Sequence, residues 1–189
     1  MTLQPRDERE LVELLRARPG RLRLVGGGSR QERLPPHGDA AELSLRGLAT
    51  IERFEPGDQT CTVGPGLPRD ELDAALHAHG LELPCAGGGT IGGLFAADPV
   101  GAGVGGGASP RSLLLGLDGV LADGTRFRSG ARVVKSVAGF DVHKLLVGSQ
   151  GRLFAATRLH LRLRPRPRAE AWFRLDGLDV ATACERLLA

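Results

Sequence analysis

The 189-residue chain is poor in aromatic side chains: Phe, Trp and Tyr together make up 4% of it, and Tyr is absent. So few rings leave no platform on which successive nucleic-acid bases could stack. The charge is nearly balanced as well, because 25 Lys and Arg against 22 Asp and Glu leave a formal net charge of +3. That is too little to draw a polyanion by itself. Cysteine is scarce, and Cys61, Cys85 and Cys184 stand far apart with no C-x-x-C pair. This excludes a disulfide framework, a structural zinc site and an iron–sulfur cluster held by this chain alone, and it suits reduced thiols in a cytoplasmic setting. The N-terminus has no apolar signal-peptide core, and no run of about 18 apolar residues occurs. A soluble cytoplasmic protein without a membrane span is expected.

What the chain has in excess is glycine, 28 residues, about twice the usual 7%. The glycines cluster at 26–28, at 87–89 with 92–93, and along 101–107. Glycine loses much conformational freedom on folding, so clusters are expected where backbone takes positive φ or comes close to something, such as a ligand. With 41% hydrophobic residues, the length suffices for one core, or for two small lobes sharing a cleft.

Residues 7–18 place Leu11, Leu14 and Leu15 on one face, with acidic residues first and Arg last, which predicts an amphipathic helix. Residues 21–25 alternate and empty into three glycines, as a strand running into a tight loop. Further strands are expected at 41–45 and 59–63, the second preceded by turn residues 56–58. A helix over 68–79 has Pro in its first turn and Gly80 as its C-cap. Two strand-like runs, 113–121 and 125–128, flank the D-G turn at 122–124 and predict a hairpin.

Residues 141–147 read as a short helix capped by Asp141 and stopped by Gly148. A strand follows over 153–163, alternating Arg158, His160, Arg162 and Arg164 with Leu159, Leu161 and Leu163; Pro165 and Pro167 end it. Its arginines read as the solvated face of a half-buried strand in preference to a nucleic-acid patch. Residues 171–189 look like one strand and one helix that begin a further unit. The expected fold class is α+β, two-lobed, with mixed parallel and antiparallel sheets.

Two glycine clusters carry chemical implications. Residues 22–29 form a strand opening into G-G-G-S, whose successive amides on a concave turn suit an anion, phosphate above all; the alternative is an ordinary flexible loop. Residues 84–97 mix glycines with small apolar residues, which lets backbone approach the face of a flat aromatic ligand; the alternative is a close crossing of two elements.

Residues 134–151 are more specific. The pattern K-x-x-x-G-[YF]-D, then L, then G-S-x-G before a long strand resembles the flavin-binding domain of the vanillyl-alcohol oxidase/p-cresol methylhydroxylase (PCMH-type) family, in its glycolate oxidase and D-lactate dehydrogenase branch. The same order of motifs runs from about residue 20 to about residue 168: G-G-G-S, V-G-P-G before a helix, L-x-L-P before G-G-T-I-G-G, L-G-L-x-x-V-L-A-D-G, then K-x-x-x-G-F-D and the closing strand. The departures are Asp98 where Asn is commoner, Gln150 where Glu is common, and Phe154-Ala155-Ala156 for L-G-V or similar.

The resemblance implies FAD. Gly26, Gly27, Gly28 and Ser29, flanked by Val25 and Arg30, would cradle the pyrophosphate. Pro84, Gly88, Gly89, Thr90, Ile91, Gly92 and Gly93, with Ala96, Ala97 and Asp98, would line the isoalloxazine and the remaining diphosphate; Gln150, Gly151 and Ala156 would contact the cofactor through backbone. No His occurs in the first glycine loop, which implies non-covalent FAD, Cys85 being the one thiol near the second cluster. The domain would span 1–168, with a smaller lobe of about 1–66 and a larger lobe of about 67–168, and 169–189 would start a truncated cap-like segment.

Because the family's cap supplies most substrate contacts, no catalytic residue is assigned and no metal is expected. His143 and Lys144 are expected to face solvent; Lys135 and Asp141 match motif positions of the family, the alternative for them being a structural ion pair and a helix cap. The implied activity is that of an FAD-dependent oxidoreductase subunit acting on small 2-hydroxy acids such as glycolate, in a hetero-oligomer with a second flavoprotein subunit and an iron–sulfur subunit. The alternatives are an FAD-holding electron-transfer or assembly subunit without catalysis of its own, and a truncated product.

Overall fold

The computed structural model describes residues 2–17, 20–29, 38–99, 109–131, 140–169 and 179. Arg30, Lys135, Cys184, the glycines of 101–107 and the stretch 171–189 apart from residue 179 lie outside the described residues.

The smaller lobe comprises β1 (Thr2–Leu3), α1 (Glu8–Ala17), β2 (Leu22–Val25) and β3 (Ala41–Ser44), the strands forming a parallel sheet in the order β1-β3-β2. Helix α1 forms where expected: Glu8 and Glu10 lie in its first turn, Arg16 in its last, and the Glu10 amide donates to Asp7 Oδ1 at 2.8 Å, which complements the helix dipole. It buries Leu11, Val12 and Leu15 against Leu43 and Leu45.

A 3-10 turn at Leu45–Gly47 leads to β4 (Ile51–Glu55), β5 (Thr60–Val63), α2 (Arg69–His77), β6 (Leu81–Glu82), α3 (Ile91–Ala97) and α4 (Pro110–Leu113). The hairpin β7 (Leu114–Val120) and β8 (Arg126–Gly130) follows, then a 3-10 turn at Val142–Leu146, β9 (Ala155–Arg162) and β10 (Arg164–Pro165). Five of these strands make an antiparallel sheet in the order β4-β5-β9-β7-β8, and β10 pairs with β6. Strands β4 and β5 precede residue 66 yet are hydrogen-bonded into this sheet, so the sheets divide between Ser44 and Ile51.

The larger core gathers α2, α3 and one face of the five-stranded sheet around Leu72, Leu76, Leu94, Phe95, Leu117 and Leu159. Val120 and Ala155 belong to the other core, among Leu11, Leu15 and Leu43, so the lobes are packed directly against each other.

Three expectations are corrected. The polar face of β9 is solvated only at and just past its end, where Arg162 and Arg164 are exposed: His160 is buried with Nδ1 3.0 Å from Thr62 Oγ1, and Arg158 is half-buried among carboxylates. Neighbouring strands and α1 cover what an isolated amphipathic strand would leave to water. His143 does not face solvent either; its ring is buried, with Nδ1 3.2 Å from Ser129 Oγ. Lys144 turns its ammonium inward, donating to the carbonyls of Arg111 and Leu114. Asp141 stands at the cap position without a side-chain cap hydrogen bond, ahead of a 3-10 turn in place of an α-helix.

Candidate functional site

A cleft of about 180 Å³ opens where the lobes meet. Leu24, Val25, Gly26, Gly27, Gly28, Ser29 and Leu45 form its smaller-lobe wall. Pro65, Thr90, Gly92, Gly93, Ala96, Ala97, Pro99, Leu146, Gln150, Gly151, Phe154 and Ala156 form the opposite wall. A second cleft, about 730 Å³, meets it at Gly27 and Thr90 and is bounded by Gly87, Gly88, Gly89, Arg46 and the start of α2.

Strand β2 delivers the first glycine loop to this junction. Gly28 has φ +78°, a conformation that costs glycine least, and Arg46 Nη2 donates to Gly27 O at 3.0 Å, holding that carbonyl. The amides of Gly27, Gly28 and Ser29 donate to no backbone acceptor among the described residues. At Gly26 the approach is close enough that a Cβ would stand 2.2 Å from Thr90 Oγ1.

Thr90 in turn caps α3, its Oγ1 accepting from Gly93 N at 3.4 Å. Backbone bonds dock the start of this helix: Arg69 N to Gly89 O, Ile91 N to Leu67 O and Gly92 N to Pro65 O, at 2.8–2.9 Å. The Arg69 guanidinium ties down the preceding segment by donating to Leu83 O and Cys85 O, both at 2.9 Å, while pairing with Asp73. Burial pushes the Cys85 thiol up, opposed by this guanidinium.

The other end of α3 is closed by residues 148–151. Gly148 N donates to Phe95 O at 3.2 Å and Gln150 N to Ala96 O at 2.9 Å, satisfying carbonyls that a helix C-terminus leaves orphaned. Asp98 and Gln150 both have φ near +50°, costly for non-glycine residues and typical of backbone held at functional sites. A Cβ on Gly151 would sit 3.2 Å from Leu24 Cβ, so this loop touches both walls.

The expected site residues thus divide. Val25, Gly26 to Ser29, Thr90, Gly92, Gly93, Ala97, Gln150, Gly151 and Ala156 come together around the first cleft, and Gly88 and Gly89 line the second. Ile91 is wholly buried in the first turn of α3, Asp98 is exposed just past its end, and Pro84 lines neither cleft. Leu24, Leu45, Pro65, Leu146 and Phe154 also line the cleft and were not anticipated. Of these, Pro65 lies inside V-G-P-G and Phe154 at a motif departure, whereas Leu24 and Leu45 are apolar wall residues that carry no motif.

Among the described residues lining the first cleft, none has an ionisable side chain. Successive backbone dipoles of the glycine loop suit an anion there. Alanines, leucines and Phe154 offer the small apolar wall a flat ring requires. Diphosphate donors at one side and an apolar slot at the other fit a dinucleotide with an aromatic ring system. Among the described residues no cluster could hold a metal ion, and no helix is long and apolar enough to cross a membrane.

The fold and cleft therefore define a two-lobed α+β cofactor-binding domain. The profile of the family described as "FAD binding domain" matches residues 1–130. The chain belongs to this family of FAD-binding domains, of the PCMH type, and FAD is its cofactor. It is 33% identical over 139 residues to glycolate oxidase subunit GlcE of Escherichia coli, a match covering 71% of this chain and 40% of that protein. It is 31% identical over 136 residues to D-lactate dehydrogenase of Archaeoglobus fulgidus, covering 70% of this chain and 30% of that protein. The chain thus spans two fifths or less of these relatives. A solved alkyldihydroxyacetonephosphate synthase shares the fold with a TM-score of 0.73 at 18% identity, over 89% of this chain and 32% of that one.

Proposed function

We propose that this chain is the FAD-holding part of an oxidoreductase acting on small 2-hydroxy acids such as glycolate or D-lactate. The observation that carries the reading is the interlobe cleft, with amides that donate to no backbone acceptor among the described residues on one side and an apolar wall on the other. The names of the relatives, a glycolate oxidase subunit and a D-lactate dehydrogenase, supply the substrate class.

In this reading Gly26 to Ser29 hold the pyrophosphate through backbone N–H groups, with Arg30 beside them. Thr90, Gly92, Gly93, Ala97, Gln150, Gly151 and Ala156 bound the rest of the cofactor. Leu146, Phe154 and Ala96 exclude water from its ring. Held by these residues, FAD would supply the hydride-accepting chemistry that oxidation of such an acid requires.

Attachment is non-covalent, because no His stands in the first loop and Cys85 Sγ lies 3.7 Å from Arg69 Nη1 and lines neither cleft. Residues 1–168 form the FAD domain and 169–189 begin a cap-like segment. A second flavoprotein subunit and an iron–sulfur subunit are the partners. The free buried thiols Cys61 and Cys85 support a reducing, cytoplasmic setting.

A second reading, an FAD-holding electron-transfer or assembly subunit, is favoured by a cleft lining in which none of the described residues is ionisable, since acid oxidation needs a base near the reacting carbon. Anaerobic mixing of the FAD-loaded chain with glycolate or D-lactate separates the two. Bleaching of the flavin band is expected once the partner subunits are present; no bleaching by any such acid, with partners present, leaves the assembly role.

A further inference from the structure

The cleft walls belong to different lobes, so whatever fixes the lobes relative to each other fixes the width of the site. Besides the apolar contact of Val120 and Ala155 with α1 and β3, one polar cluster spans them. Glu8, at the start of α1, receives the Thr157 hydroxyl at 2.9 Å and Arg158 Nη1 at 3.0 Å on one carboxylate oxygen, and Arg126 Nε at 3.0 Å on the other. All three donors lie on β8 and β9 of the larger lobe. Arg158 is the hub: its Nε donates to Glu52 of β4 at 2.6 Å, and its Nη1 lies 3.4 Å from Asp118 of β7.

The local cause is an irregularity in β9. Its pairing with β7 passes from Gly119↔Ala156 to Asp118↔Arg158, leaving Thr157 without an opposite residue. Such a bulge turns two successive side chains towards one side, and here both grip the same carboxylate. The run 155–158 therefore serves three places: Ala155 sits in the interlobe core, Ala156 lines the cleft, and Thr157 and Arg158 hold Glu8. Helix α1 leads into β2, and the end of β2 carries the glycine loop.

We propose that Glu8, Thr157 and Arg158 form an interlobe brace that sets the width of the FAD cleft, with Glu8 and Arg158 as positioning residues for the cofactor. The inference rests on FAD occupying that cleft. Its signature is a difference between two arms of one hub. Glu8→Gln cuts the arm that crosses between lobes, whereas Glu52→Gln cuts an arm that stays within the larger sheet. Both remove one half-buried carboxylate from Arg158, with side-chain exposures of 26% and 36%; because Glu8 also holds Thr157 and Arg126, Glu8→Gln should lower the thermal midpoint somewhat more, and the comparison is made on FAD affinity in protein that is folded at the assay temperature.

The test is FAD titration of the whole chain, followed by flavin fluorescence, with thermal unfolding of each variant alongside. Glu8→Gln is expected to weaken FAD binding roughly three- to tenfold, and Glu52→Gln to change it by less than about twofold. Thr157→Val, which removes only an uncharged donor to Glu8, should follow Glu8→Gln in direction and guards against charge effects unrelated to the brace. Equal effects of Glu8→Gln and Glu52→Gln, or none from either while wild type binds FAD, would overturn the brace. Wild-type chain that takes up no FAD would overturn the site reading, and the brace with it.

Discussion

Replacing Gly26 by Ala puts a methyl 2.2 Å from Thr90 Oγ1 and 3.4 Å from Thr90 Cβ. Contacts between non-bonded heavy atoms are best near about 3.5–4.0 Å, so the hydroxyl must give way. Rotating it releases the cap on Gly93 N, which is long at 3.4 Å and costs about 1 kcal/mol or less. The midpoint should then fall by roughly 2–4 °C at most for a domain of this size. If Thr90 holds instead, the glycine loop is pushed off α3, and the amides of Gly27, Gly28 and Ser29 leave the position proposed for the pyrophosphate. Losing one hydrogen bond to a charged group, about 1.5–3 kcal/mol, weakens FAD binding roughly 10- to 100-fold.

The expected result is a loss of FAD affinity of about tenfold or more, larger than the small fall in midpoint would suggest. The double variant Gly26→Ala with Thr90→Ala discriminates, since it leaves only the 3.4 Å contact with Cβ and should return affinity close to that of Thr90→Ala alone. Binding by Gly26→Ala at the wild-type level, or a double variant as weak as Gly26→Ala, would refute the reasoning.

Burial pushes the Cys61 thiol up to about 12 from an ordinary 9.0; its thiolate at about pH 8 is scarcer by roughly a thousandfold. Iodoacetamide should therefore leave Cys61 unlabelled in native protein and label it in urea, and fast native labelling seen by mass spectrometry would contradict its placement. Burial, with the Lys144 ammonium adding to it, holds the His143 imidazole below its ordinary 6.5. The unfolded chain then takes up this proton first, so the contribution to stability is complete above about pH 6.5 and is lost as pH falls below it. Urea midpoints between about pH 8 and pH 5.5 should drop more for wild type than for His143→Gln, and parallel curves would count against it. Arg69→Gln forfeits the charged bonds to Leu83 O and Cys85 O; a loss of about 2–3 kcal/mol is expected in denaturant titrations, and an unchanged midpoint would show that the guanidinium does not hold the 83–89 segment.

Local chemistry was readable in the sequence. The D-G turn forms as expected, with Thr125 N donating to Asp123 Oδ1 at 2.8 Å and Gly124 at φ +81°, and Gly80 takes φ +66° after α2. The glycine loop was readable because a strand that empties into three glycines and a serine turns tightly and bares its amides. Helix α3 was not: Gly92 and Gly93 depress helix propensity, and only Thr90 signalled a cap. Strand β4 and helix α4 were missed too, the latter despite Ser109 and Pro110 standing where an N-cap and first-turn proline belong. His143 and His160 show the limit most plainly. Whether a polar side chain at a regular spacing meets water depends on which strand lies opposite, and no local pattern encodes that.

That dependence has a consequence for how the protein comes to exist. Thr60 of β5 pairs in register with Arg162 of β9, and β9 also joins the β7–β8 hairpin. During synthesis, every residue of the first wall and most of the second emerge while the central strand of the large sheet is still missing. The hairpin and α1 can form early from local contacts, but the long-range closure by β9 comes late. The cleft is therefore incomplete on the nascent chain, and its far wall closes only when the strand bearing Ala156 has slotted between its neighbours.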